Sequence, residues 1–162
     1  SCDDLSPIQA ALLPGCRIEV PEGATVQLAR SGEFLMDLEG VRFTFPGRPL
    51  PMFGGGMASK IEGDGTVRVA TAPGFSGSKY RLEVGDASLL IHDSVFTVSS
   101  SGGEIGIRVL EGELEAVMPD GHSEMVGPRS GAMIRSGKFM PMEFDPEEAE
   151  LLQSLRERAV VI

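Results

Sequence analysis

Ile105-Gly106-Ile107-Arg108-Val109-Leu110-Glu111-Gly112-Glu113-Leu114-Glu115-Ala116-Val117-Met118 is the stretch whose reading decides the fold. Ile105, Ile107 and Val109 alternate with Gly106 and Arg108, and beyond Glu111-Gly112 the alternation resumes at Leu114, Ala116 and Met118. Successive side chains of an extended strand point to opposite faces, so a period of two marks strands with one buried face. Gly112 supplies the positive φ that a tight turn demands. The stretch therefore predicts two strands joined at Glu111-Gly112.

The same grammar extends outward in both directions. Ile18 and Val20 alternate with Arg17 and Glu19, and Val26 and Leu28 with Thr25 and Gln27. Phe34, Met36 and Leu38, then Val41, Phe43 and Phe45, then Val67 and Val69 follow the same period. So do Tyr80, Leu82 and Val84, and Phe96 and Val98. Pro21-Glu22-Gly23, Leu38-Glu39-Gly40 and Ile61-Glu62-Gly63 repeat the Glu-Gly turn at uneven intervals, which excludes a strict solenoid repeat. The fold class predicted is all-β: about a dozen short strands in stacked hairpins, as a β-sandwich or a β-helix-like stack. Amphipathic helical segments do not interrupt the series, which excludes βαβ units. Residues 46–56 carry Pro46, Pro49 and Gly54-Gly55-Gly56 and break the pattern; a crossover between layers is expected there.

Helices are expected only at the ends. Ser6-Pro7-Ile8-Gln9 opens a short one and Pro14-Gly15 stops it, with Ser6 as cap and Pro7 in the first turn. At the other end Asp145 caps, Pro146 takes the first position and Glu147 and Glu148 suit the positive end of the dipole. The helix is predicted from about Pro146 to Arg158. Leu151, Leu152, Leu155 and Ala159 form its apolar stripe, which is expected to dock on the sheet. The organisation is thus a helical segment at 1–15, one β domain at 16–144, and a helix with tail at 145–162.

Composition bounds function more than it names it. The 162 residues suit one domain and carry a formal net charge of −10, which repels phosphate backbones and argues against nucleic acid as a partner. No apolar run reaches the roughly 20 residues that span a bilayer. Cys2 and Cys16 lie near one end, and three states are open to them. They form a candidate disulfide tying down the terminus, remain two free thiols, or Cys2 carries a lipid anchor as an exported lipoprotein would. A signal peptide removed before residue 1 fits the first and third states.

Catalytic and cofactor signals are weak. His92 and His122 stand thirty residues apart in the sequence, without His-x-His or Cys-x-x-Cys spacing for a metal. Gly74-Phe75-Ser76-Gly77 departs from the nucleophile-elbow spacing, and Gly54-Gly55-Gly56-Met57-Ala58-Ser59-Lys60 departs from that of a phosphate loop. Glu62-Gly63-Asp64-Gly65 reads as a turn. Met118, Met125, Met133, Met140 and Met142 crowd the last third; thioethers hold Cu(I), but spread over several strands they are expected to fill core gaps. No catalytic residue, metal or cofactor is assigned.

From Tyr80 to Ile134 the order of features is more specific. A Tyr80–Val84 element and an Ala87–Ile91 element precede Phe96-Thr97-Val98, a polar turn from Ser99 to Glu104, and Val109-Leu110-Glu111-Gly112. This resembles the FecR protein domain, the periplasmic part of iron-citrate type sigma-factor regulators. Phe96, Val98, Val109, Leu110, Glu111 and Gly112 fall on the family's motif positions, whereas Asp93-Ser94 stand where the family has Gly-Thr. The resemblance implies an all-β domain outside the cytoplasmic membrane that relays binding events without chemistry. Its apolar motif residues would be core, with Glu111 and Gly112 setting a turn. The expected partner is another envelope protein. The alternatives are a module binding a glycan or other envelope polymer through the Gly47-to-Gly56 loop, and a hydrolase with an unrecognised carboxylate pair.

Overall fold

In the computed structural model, which describes residues 17–30, 34–44, 57–71 and 80–159, the period-two segments form fourteen strands in two seven-stranded sheets. The first sheet runs β1 (Arg17–Glu19), β4 (Arg42–Thr44), β5 (Met57–Glu62), β7 (Tyr80–Val84), β8 (Ala87–Ile91), β11 (Leu114–Val117), β12 (Ser123–Val126). The second runs β14 (Lys138–Met142), β13 (Ser130–Arg135), β10 (Glu104–Glu111), β9 (Val95–Ser101), β6 (Gly65–Thr71), β3 (Phe34–Glu39), β2 (Thr25–Arg30). Every pairing is antiparallel except β5 with β7, whose strands lie side by side because β6 crosses to the second sheet between them. From β7 onward, hairpins alternate between sheets: β7–β8 in the first, β9–β10 in the second, β11–β12 in the first, β13–β14 in the second. The stacked hairpins thus form two sheets sharing a core.

That core takes the inward residues of both sheets. Phe43, Leu82, Leu89 and Leu114 of the first meet Met36, Val67, Phe96, Ile107 and Val109 of the second. Phe43 and Phe96 are its bulkiest fully buried side chains. Fully burying one such side chain contributes about 1.5–3 kcal/mol. All four Glu-Gly turns have the expected positive φ, at Gly23, Gly40, Gly63 and Gly112.

Helix α1 (Pro146–Ala159) forms a third layer on the outer face of the second sheet. Leu152, Leu155 and Ala159 bury against Leu35, Ala70, Val95 and Leu110. Leu151, expected in this stripe, is instead 50% exposed, because it lies one position off the line of contact. The helix explains why Val95, Phe96, Thr97 and Val98 are all buried: with both faces covered, a strand loses its alternation of exposure.

The methionines need a second correction. Of the five in the last third, only Met118 is fully buried; Met125 and Met140 are 48% and 41% exposed. They sit on β12 and β14, the strands at one edge of each sheet. The N-terminal helix from Ser6, the Cys2–Cys16 bridge, the Gly47-to-Gly56 loop, Ser76 and the final Val160-Val161-Ile162 lie outside the described residues. Among the described residues, no helix is long and apolar enough to cross a membrane.

Candidate functional site: the helix-covered face of the second sheet

The most connected polar group on this face is Glu148, in the first turn of α1. Asp145 starts the helix, its Oδ1 accepting the Glu147 N–H at 3.0 Å and its carbonyl accepting the Ala149 N–H at 3.1 Å. Glu148 is thereby turned onto the sheet, where its side chain is 12% exposed. Its Oε1 accepts from Arg68 Nε at 2.7 Å and from the Thr97 hydroxyl, and its Oε2 accepts from Arg68 Nη2 at 3.4 Å. Arg68 also reaches Glu39, with Nη1 3.8 Å from Oε2.

Burial pushes the Glu148 carboxyl up, but the hydrogen bonds from Arg68 and Thr97 and the charges of Arg68 and Arg108 outweigh it, holding the group below its ordinary value. Arg108 stands beside Thr97 in the β9–β10 register, and its Nε is buried without a hydrogen-bond partner among the described residues. Two further ion pairs flank the helix: Arg156 Nε lies 3.4 Å from Glu111 Oε2, and Arg158 Nη2 lies 3.4 Å from Asp37 Oδ2. Chemically the cluster is a clamp. A carboxylate engaged by a guanidinium and a hydroxyl beneath a helix is badly placed for proton transfer to a substrate, and well placed to fix where the helix docks.

The motif positions divide between the two sides of the sheet. Phe96, Val98 and Val109 lie in the core between the sheets, and Leu110 lies beneath α1. The β9–β10 register shifts between Val109 and Glu111, so that Glu111 rather than Leu110 opposes Val95. Glu111 meets Arg156, a contact beyond the turn role its motif suggested.

Gly112 has φ +76°, and a Cβ there would sit 2.1 Å from the Asp93 carbonyl oxygen and 2.8 Å from Ser94 Cα. The glycine is therefore required twice, by its dihedral and by the backbone it touches. At that contact Asp93-Ser94 are held by Thr71: its hydroxyl lies 2.7 Å from Asp93 Oδ1 and accepts the Ser94 N–H at 2.9 Å. Ser94 Oγ donates to the His92 carbonyl at 2.9 Å.

Away from this face, a cleft of about 750 Å³ opens among the turns at one end of the sandwich. Glu104 and Arg135 on its wall pair with each other, and the Asp86 carboxylate, serine hydroxyls and turn backbone make up the rest of its polar lining. His122 is exposed and its Nε2 lies 2.6 Å from Glu124 Oε1. Asp64, in the turn after β5, accepts the Gly102 N–H at 3.2 Å. Among the described residues no group of three His, Cys, Asp or Glu side chains is arranged to hold a metal ion.

Sequence reasoning missed Arg68, Thr97, Arg108 and Glu148 as a unit. The available signal was Val95-Phe96-Thr97-Val98, an uncharged run in a chain of alternating strands, which hints at cover on both faces.

Two crystal structures of a candidate anti-sigma factor from Parabacteroides distasonis, at 2.50 and 1.65 Å, share this fold. Each has a TM-score of 0.67 and 15% sequence identity, over 83% of this chain and 62% of the other. The chain therefore spans less than two thirds of the length of those structures. No family model matches it, and neither does any curated protein. What the likeness establishes is the fold alone.

Proposed function

We propose that this chain is a non-enzymatic, FecR-like β domain that acts outside the cytoplasmic membrane and passes on an envelope signal by contact with another protein. The observation that carries the reading is the shared fold with candidate anti-sigma factors over 83% of the chain. The Val109-Leu110-Glu111-Gly112 motif agrees with it: its residues join the core, the helix cover and the turn at Asp93-Ser94. The Glu148 clamp suits a domain whose task is to hold or release a surface element.

The test is genetic and needs no ligand. Deleting the gene in its own host should change transcription of one coherent set of promoters, those served by a single alternative sigma factor. A phosphatase fusion at the end of the full-length gene product should be active outside the cytoplasmic membrane. An unchanged transcriptome under envelope stress, or a cytoplasmic fusion, would overturn the reading. Free-thiol titration of the unfolded, unreduced protein bears on the compartment: a Cys2–Cys16 bridge leaves no reactive thiol.

A further inference from the structure

Met133 and Met140 stand directly opposite each other in the β13–β14 ladder, and Met142 is paired with Gly131 two places along. Their neighbours Ala132, Ile134 and Phe139 pack into the core between the sheets. Strict alternation then puts all three methionines on the other face, the one that carries α1. Among the described residues the helix lies mainly over β3, β6, β9 and β10 rather than over β13 and β14. Met140 is accordingly 41% exposed, and Met133 and Met142 are half-buried.

The spacing suits convergence. Directly opposed residues have Cβ atoms about 4.5–5.5 Å apart, and alternate residues along a strand lie about 7 Å apart. Methionine is long and unbranched, so three such side chains can bring their sulfurs to one point. Gly106 neighbours Met133 on β10 and Gly131 opposes Met142 on β14, so neither adds a side chain of its own beside the methionines, although the Ser99 hydroxyl leans over Gly106. Thioethers are soft ligands that select Cu(I) over hard divalent ions, and a chain of net charge −10 favours cations over anions. The nearest cations by register are Arg135 and Lys138, two places from Met133 and Met140 on the same face; Arg135 is paired with Glu104, and the exposed Lys138 can turn its ammonium to solvent.

We propose that Met133, Met140 and Met142 form a thioether site for one soft monovalent cation, Cu(I) or Ag(I), on the outer face of the second sheet. The site is independent of any signalling role, since it requires only these three side chains.

The experiment is a titration of the full 162-residue chain with Ag(I) in chloride-free buffer, with Cys2 and Cys16 capped by N-ethylmaleimide so that thiolates do not compete. The readouts are native mass spectrometry and the methyl NMR signals of ¹³C-labelled methionine. One equivalent should shift the signals of Met133, Met140 and Met142 together and leave those of Met118 and Met125 in place. Anaerobic Cu(I) should move the same three. Met140→Leu should weaken binding by about tenfold or more, since even loss of a group supporting a metal ligand costs about that much. Met133→Leu/Met140→Leu/Met142→Leu should abolish binding, and Met125→Leu should leave it unchanged. Leucine is close to methionine in volume, so the amide spectrum of the core should persist in each variant. Wild-type binding by the triple variant, or Met125 shifting as much as the three, would show diffuse thioether binding and remove the site.

Discussion

The two faces of the second sheet are made of alternate residues of the same strands, yet different forces hold them. The inner face, with Met36, Val67, Phe96, Ile107 and Val109, is apolar and meets an apolar partner sheet. The outer face sets Leu35, Ala70, Val95 and Leu110 among Asp37, Arg68, Thr97 and Arg108, and meets one helix through both kinds of contact. Apolar burial on the inner face is non-directional and sums over many residues. On the outer face a smaller apolar stripe is supplemented by directional groups that fix the helix in one position. Damage to the inner face should therefore unfold the domain, whereas damage to the outer face should release α1 alone.

The largest effect is expected from Phe96→Ala. It empties the centre of the inner core and should cost about 3–5 kcal/mol, read as a fall in the denaturation midpoint shared by all probes. Loss of helix signal ahead of sheet signal would contradict the division between faces. Gly112→Ala comes next. Its methyl would collide with the Asp93 backbone, and the left-handed dihedral adds a strain of about 1–3 kcal/mol. Because the collision joins the β8–β9 and β10–β11 turns, amide exchange should rise first near Thr71, Asp93 and Ser94.

Glu148→Gln tests the clamp itself. It keeps the shape but removes the charge facing Arg68 and Arg108, at a cost of about 1–3 kcal/mol. Amide exchange should rise throughout α1 while β9 and β10 stay protected, a sub-global opening. Acid should act in the same direction. The Glu148 carboxyl is held below its ordinary value in the folded state, so its contribution is complete above the unfolded value of about 4.3. It is lost as pH falls through the lowered folded value. Helix exchange should therefore climb below about pH 4 in the wild type, and this component should vanish in Glu148→Gln.

These faces also differ in how far they could be read in advance. The inner face was legible because Ile105, Ile107 and Val109, or Leu82 and Val84, announce a strand by alternation alone. So was α1, since Asp145-Pro146-Glu147-Glu148 is a local start signal. The strand β5 was not, because Met57-Ala58-Ser59-Lys60-Ile61-Glu62 alternates weakly and is placed by its parallel pairing with β7. The edge strands β12 and β14 are short and expose Met125 and Met140, so they lack a clean buried face. The clamp was illegible for a different reason: Arg68 and Glu148 are eighty residues apart, and nothing local in either one's sequence tells which face the helix will cover.

The smallest effects belong to the rim of the same interface, and they discriminate between clamp and decoration. Arg156 and Arg158 each reach the sheet at 3.4 Å, to Glu111 and Asp37. Both pairs are partly exposed, with Arg158 at 49% and Glu111 at 45%. Solvent screens such pairs, and each should contribute only about 0.2–1 kcal/mol. Arg156→Ala and Arg158→Ala should therefore shift helix exchange slightly at low salt. At 1 M salt, where the screening length falls to about 3 Å, the difference from wild type should disappear. Glu148→Gln should keep most of its effect at the same salt, because the Glu148 side chain is 12% exposed and hydrogen-bonded to Arg68 and Thr97. If salt erased both differences equally, Glu148 would belong to the rim, and the apolar stripe of Leu152, Leu155 and Ala159 would hold the helix by itself.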